Sequence, residues 1–291
     1  MEVLKIMSLS GIWLPIITPF LNDKVDFAAY KKMIDYYISK GITGLIPLGT
    51  TGEVPTVNDE EFEQIIEKTM EYNNNRVPVY VGLGGNNTSK VVNQLKLVEK
   101  YKAEGILSVS PYYNRPDQRG IYAHFQKISE ATDLNIILYN IPYRTGRNIE
   151  NSTIHKLAEL KNIVAIKDAC GDFKQSSELL LNRPQDFSIL TGEDSLFYST
   201  LLLGGDGGIL ASAHIKTEEF FKVYNYVQNN DHKAALEAWK PLNNFIPMLF
   251  EEPNPSPIKY YLNKQGLINS PEVRLPLMEI TEELKKKIDL I

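Results

Sequence analysis

At 291 residues, with 43% hydrophobic and 23% charged side chains, the chain has the make-up of a globular protein, enough for one large α/β domain or two ordinary ones. A net charge of −5 and a pI near 5.5 speak against a nucleic-acid or anionic-membrane surface, which needs basic patches. The single cysteine excludes an internal disulfide framework, and His124, His155, His214 and His232 show no HxH or HExxH spacing, so no metal site is expected.

The first apolar stretch, "IMSLSGIWLPIITPF", follows Lys5 as the core of a signal peptide would. Pro15 and Pro19 interrupt it, no small-residue cleavage site follows, and it is too short to span a bilayer. It reads as a lead-in and a first strand, and a cytoplasmic protein is expected. Strand-length apolar runs then recur: "GIWLPIITP" (11–19), "TGLIPLG" (43–49), "VPVYVGLG" (77–84), "GILSVS" (105–110), "LNIILYN" (134–140), "NIVAIKDA" (162–169), "FSILTG" (187–192) and "GGILAS" (207–212). Each has the length and continuity of a strand buried on both faces. Helical patterning lies between them, as in "DFAAYKKMIDYYISK" and "NDEEFEQIIEKTMEY". The latter opens on Asn58 as a cap, followed by three acids in its first turn. "NTSKVVNQLKLVEKYKAE" is expected to start at Thr88 or Ser89 in the same way.

Eight strand–helix units in succession predict a (β/α)8 TIM barrel; an open doubly wound sheet shares the same alternation. Past residue 230 only helical patterning remains, in "DHKAALEAWKPLNNFIPMLF" and "NPSPIKYYLNK". The expected division is a catalytic barrel over 1–230 and a C-terminal helical extension over 231–291.

In such barrels the loops after the strands' C-terminal ends build the active site, and the residues that break the apolar pattern fall there. The second strand runs into "GTTGE", the fourth into "PYYNRP", the fifth ends in Tyr139 before "NIPYRTG", and the sixth ends in Lys167. A lysine nucleophile attacks a carbonyl only as the neutral amine, and at its ordinary pKa about one lysine in 2,500 is neutral at pH 7. Desolvation at a barrel mouth raises that fraction tenfold per unit. The competing readings are a lysine reaching solvent from a strand end, or one paired with Asp168. Adjacent strands lie about 4.8 Å apart, which lets Tyr139 face Lys167; a tyrosine of ordinary pKa shuttles protons only when hydrogen-bonded. Thr50 and Thr51, between Gly49 and Gly52, offer hydroxyls and approachable backbone N–H groups to a small carboxylate, or simply form a glycine turn and helix cap. Arg144 and Arg147 flank another glycine turn and offer a two-donor fork for a second carboxylate.

Asp172, Glu193 and Asp194 read as solvated loop residues or helix caps. Cys170, with no histidine near it in sequence, reads as a small buried residue. "GLGGNN" (82–87) lacks the third glycine of a dinucleotide loop and follows the third strand, and "GGDGG" (204–208) precedes a strand, so neither is a phosphate cradle.

"GTTGEVPT", "SVSPYYNRP", "YNIPYRTG", "VAIKDA" and "NPSPIK" stand in the order and spacing of the dihydrodipicolinate synthase / N-acetylneuraminate lyase family of class I aldolases, which the chain resembles from "WLPIITPF" to "RLPL". The resemblance implies a Schiff base between Lys167 and pyruvate. It implies that Thr50 and Thr51 hold the pyruvate carboxylate and relay protons, and that Tyr139 is the general acid and base. Tyr113 would complete the relay from a neighbouring subunit, Arg144 would receive the carboxylate of aspartate semialdehyde, and Gly192 and Ile209 would line the pocket. It further implies a homotetramer built as a dimer of dimers, with no cofactor, metal, nucleic acid or membrane partner. The implied product is 4-hydroxy-tetrahydrodipicolinate, on the route to diaminopimelate and lysine.

"YxRTG" and "PYYN" favour the synthase over the sugar-acid lyases of the same family, which act on substrates such as N-acetylneuraminate or 2-keto-3-deoxygluconate. Val54 after "GTTGE", "KDACGD" and "TGED" depart from the usual pattern beside the pocket. A non-catalytic carbonyl-binding relative and an NAD-dependent oxidoreductase are further alternatives, disfavoured by the retained set and by the incomplete glycine loop. Lysine-inhibited members resemble one another in a cleft where this chain has Phe62 and Lys90 in place of a histidine and a glutamate, and keeps Tyr112. Insensitivity to lysine is therefore expected.

Overall fold

The computed structural model describes residues 9–290; the part of the N-terminal lead-in before residue 9, and residue 291, lie outside them. The barrel strands are β1 (Gly11–Leu14), β2 (Gly44–Leu45), β3 (Tyr80–Gly82), β4 (Gly105–Val109), β5 (Asn135–Asn140), β6 (Ile163–Asp168), β7 (Ser188–Thr191) and β8 (Gly207–Ile209). All pair in parallel in the order β2-β1-β8-β7-β6-β5-β4-β3. A parallel bridge between Leu45 and Val79 brings the two ends together. This is the (β/α)8 barrel, and the open doubly wound alternative is excluded by that closure. Several strands are shorter than their apolar runs. β1 and β2 stop near Pro15 and Pro47, where the missing N–H interrupts the ladder.

The helices that follow each strand are α1 (Phe27–Ser39), α2 (Asp59–Asn73), α3 (Thr88–Lys100), α4 (Gln118–Glu130), α5 (Asn151–Ala158), α6 (Phe173–Leu181), α7 (Phe197–Leu202) and α8 (Ala213–Gln228). Asn58 caps α2 in a full capping box with Glu61. α3 starts at Thr88 as expected, and its cap is Asn87, whose side chain accepts from the Lys90 N–H at 3.1 Å. Thr88 sits inside the helix, its hydroxyl 2.9 Å from His124 Nδ1. Beyond residue 230 come α9 (His232–Phe245), α10 (Ser256–Lys264) and α11 (Glu282–Ile288). Among the described residues no helix is long and apolar enough to cross a membrane.

The period-2 alternation of the strands divides the core in two. One cluster, including Trp13, Ile46, Tyr80, Ile137, Ala165 and Ile209, fills the barrel interior, and a larger one lies between strands and helices. At the interior floor a side chain on Gly44 would meet the Trp13 ring at 2.2 Å, so only glycine lets that indole lie across the barrel. On β6, Ala165 and Lys167 share the inward face while Ile166 and Asp168 point out toward the helices.

Candidate active site

β5 and β6 lie side by side with Tyr139 and Lys167 directly in register, both at the C-terminal ends of their strands. The Lys167 amine stands over the Tyr139 ring, 4.3 Å from its centre. Asp168 does not pair with it. Alternation along the strand turns Asp168 outward, where Ser176 Oγ donates to its carboxylate at 2.5 Å and the Cys170 N–H at 3.2 Å. Nor does Lys167 reach freely into solvent, since the residue is only 7% exposed. Burial pushes its amine down to about 8, with a smaller opposing pull from Asp194. Room for the lysine stem comes from Gly192, at the end of β7, where a Cβ would fall 2.5 Å from Lys167 Cε and 2.7 Å from its Cγ.

These residues line a cavity of about 510 Å³ at the barrel mouth. Thr50, Thr51, Tyr139, Arg144, Lys167, Gly192 and Ile209 all contribute to its wall, so the structure brings together the residues singled out for the pocket except Tyr113 and Arg147. Tyr113 is absent from that wall. It sits on the loop after β4 with a φ of 70° and is 90% exposed. Burial pushes the Tyr139 phenol well above its ordinary value, partly offset by the nearby Arg144 charge and a hydrogen bond with Thr50. At neutral pH it is a hydroxyl, able to donate and accept. Arg144 occupies the rim on the short helical turn Pro142–Thr145, with Tyr143 Oη accepting from its Nε at 2.9 Å.

Of the three acidic loop residues, one departs from the sequence expectation. Asp172 does cap α6, accepting from the Lys174 and Gln175 N–H groups. Asp194 is neither solvated nor a side-chain cap. It is buried, lines the cavity and accepts from the Ser212 N–H at 2.6 Å, and burial pushes its carboxyl up to about 6. Glu193 lines the cavity as well and accepts from Ser195 Oγ. Cys170 is partly exposed rather than fully buried. Burial and the adjacent Asp168 push its thiol up to about 11, which makes it a poor nucleophile. Arg147 lies outside the cavity wall, its guanidinium donating to the Arg115 carbonyl.

Sequence reasoning missed Asn254 altogether. The motif "NPSPIK" places it in the cavity wall, where its Nδ2 donates to Thr51 Oγ1 at 2.9 Å. Further along the same motif Lys259 is fully buried and ion-paired with Glu53 of "GTTGE". Among the described residues no group of three or more His, Cys, Asp or Glu side chains is arranged to hold a metal ion.

Fold and cavity define a barrel protein whose polar residues converge where barrel enzymes carry out their chemistry. Residues 8–291 match the dihydrodipicolinate synthetase family, and the chain belongs to that family. It is 61% identical over 283 residues to 4-hydroxy-tetrahydrodipicolinate synthase 2 of Clostridium acetobutylicum, an alignment covering 97% of this chain and 99% of that protein. A monomeric dihydrodipicolinate synthase variant superposes with a TM-score of 0.94 at 37% identity, covering 97% of this chain and 95% of that one. The chloride-inhibited dihydrodipicolinate synthase of Acinetobacter baumannii, solved with pyruvate, gives a TM-score of 0.93 at 34% identity, with 97% of each chain covered.

Proposed function

We propose that this chain is a lyase of the class I aldolase type, condensing pyruvate with L-aspartate-4-semialdehyde to give 4-hydroxy-tetrahydrodipicolinate. The observation that carries the reading is Lys167, a desolvated amine at the floor of a mouth cavity with hydroxyls on one side and an arginine at the rim. Family membership and the 61% identity to a curated synthase support the same activity.

In this mechanism the neutral amine of Lys167 adds to the keto carbon of pyruvate, and loss of water leaves an iminium. Thr51 holds the pyruvate carboxylate. The relay through Thr50 and Tyr139 then takes a proton from C3, and the enamine attacks the aldehyde carbon while the Tyr139 hydroxyl returns that proton to the new alkoxide. Arg144 holds the carboxylate of the semialdehyde, and Gly192 and Ile209 shape the wall. The amine of the condensed product displaces Lys167 from the iminium as the ring closes, which frees the enzyme. Tyr113 joins the proton relay from a second subunit of a cytoplasmic homotetramer. The barrel over 1–230 carries the chemistry, and the extension over 231–291 supplies Asn254 to the wall. No cofactor is needed, because the iminium formed on Lys167 is itself the electron sink.

Borohydride reduction in the presence of pyruvate, followed by peptide mapping, tests the reading. A pyruvyl adduct on Lys167, absent in Lys167→Arg, is expected, with turnover of aspartate semialdehyde in a coupled assay. An adduct accompanied by cleavage of a sugar acid instead would move the chain to the lyase branch. A folded protein that forms no adduct would overturn the Schiff-base chemistry.

A further inference from the structure

The catalytic residues leave "NPSPIK" without a task, yet both ends of the motif grip the turn that carries Thr50 and Thr51. At one end buried Asn254 donates to Thr51 Oγ1 across 203 positions of sequence. At the other, Lys259 pairs with Glu53, two residues past Thr51, and donates to the Glu272 carbonyl at 2.8 Å. Glu53 has a φ of 54°, in a left-handed region that a residue with a side chain holds only when its surroundings fix it. Its other carboxylate oxygen accepts from the Arg274 N–H at 3.1 Å. A buried ion pair adds little net stability, because desolvation offsets the attraction. One fixed geometry for the turn is a use that does fit it.

A hydroxyl has one proton to donate and two lone pairs to accept with. The Asn254 N–H takes one of the Thr51 lone pairs and cannot receive the Thr51 proton, which is therefore free for another partner. No other bond holds the Asn254 amide, since its Oδ1 is buried without a hydrogen-bond partner among the described residues. An amide kept in the wall by that one contact is poorly explained as a brace for the backbone.

We propose that Asn254 is a positioning residue that commits the Thr51 hydroxyl to donate into the cavity, where it meets the carboxylate of the keto acid. Were the amide carbonyl turned to Thr51 instead, the hydroxyl proton would be spent on Asn254. An incoming carboxylate would then face only lone pairs. The proposal rests on the Schiff-base reading and adds to it the device that sets the polarity of one hydrogen bond. The Lys259–Glu53 pair holds the turn still while that bond is made.

The experiment measures pyruvate dependence of borohydride trapping, together with KM and kcat, in Asn254→Ala, Thr51→Val and the double variant. In Asn254→Ala the half-saturating pyruvate is expected to rise about tenfold, the size of one lost charge-assisted hydrogen bond. The trapping rate at saturation should change much less. In the Thr51→Val background the same substitution should add almost nothing, because the hydroxyl it orients is gone. A brace with no role in polarity would instead lower thermal stability and leave the pyruvate dependence alone. Independent, multiplying effects of the two substitutions, or an unchanged pyruvate dependence, overturn the proposal while wild-type trapping leaves the Schiff base standing. No adduct in the wild type removes both. If Asn254→Ala does not fold, Asn254→Leu keeps the bulk and loses the donor without adding a charge beside the carboxylate. It is expected to show the same non-additivity with Thr51→Val, and strict additivity there counts against the proposal equally.

Discussion

Lys167 is costly where it stands, and the chemistry proposed for it follows from that cost. Removal of the amine from water disfavours the charged form and brings its pKa to about 8. The neutral fraction at pH 7 is then about one in ten instead of one in 2,500. Since only the neutral amine attacks, the rate of pyruvate trapping at low pyruvate is expected to climb with pH and level off above about 8. An inflection near 10 would show a solvated lysine instead. Gly192 belongs to the same balance, because a methyl group there would overlap the lysine stem. Gly192→Ala is expected to lower kcat/KM about a hundredfold by displacing the amine, with the thermal midpoint little changed. Near-normal activity in that variant would mean that the lysine has room to swing aside. His214 shows the opposite use of burial. Its Nδ1 lies 2.8 Å from the Ala211 carbonyl and its Nε2 accepts from the Ile17 N–H, so both nitrogens are engaged in the neutral ring, which burial holds down to about 4.

At the level of elements, the barrel was legible because parallel strands buried on both faces read as unbroken apolar runs, and Lys167 stood out as the break in one of them. Thr50, Thr51, Tyr139 and Arg144 were legible for the same reason, as polar residues directly after such runs. Asp194 was not. Acids after strands are commonly solvated, and what buries this one is an N–H from the loop after β8, 18 positions away. Asn254 was hidden more deeply, in the turn before α10, with its partner 203 positions away in sequence. Strand ends were overextended where proline cut the ladder, whereas α3 starts at Thr88 as its sequence indicated. The Phe62 and Lys90 that mark the expected loss of lysine control line one shallow groove between α2 and α3 with Asp59, Glu63 and Asn87. A lysine ammonium placed there meets the Lys90 ammonium in place of a carboxylate. Turnover is expected to be unchanged by lysine up to millimolar concentrations, and inhibition in the micromolar range would show that Asp59 or Glu63 substitutes for the missing acid.

The whole molecule poses the question of assembly. Within one chain the cavity gathers the proposed catalytic residues except Tyr113, whose ring is held out in a left-handed turn at 90% exposure. Tyr112 beside it and Tyr143 at the cavity rim are exposed too. Isolated exposed tyrosines are unremarkable, but three beside a catalytic mouth suit a surface covered by another copy. The fold by itself does not dictate that copy, since a monomeric variant shares it at a TM-score of 0.94. Complementation decides the matter. On the mechanism proposed above, Tyr113→Phe lacks the relay hydroxyl and Lys167→Arg lacks the nucleophile, so each alone is expected to be nearly inactive. In a two-fold dimer that exchanges Tyr113, a mixed pair has one site with both an intact Lys167 and an intact Tyr113 from its partner. Random reassociation of equal amounts makes half the dimers mixed, each with half its sites complete, so recovery of about a quarter of wild-type activity is expected. Recovery should require dissociation and re-mixing, and should fall away on dilution below the dimer's stability range. If Tyr113 acts within its own chain, or not at all, no mixed site gains anything and the re-mixed pair stays at the level of its parents.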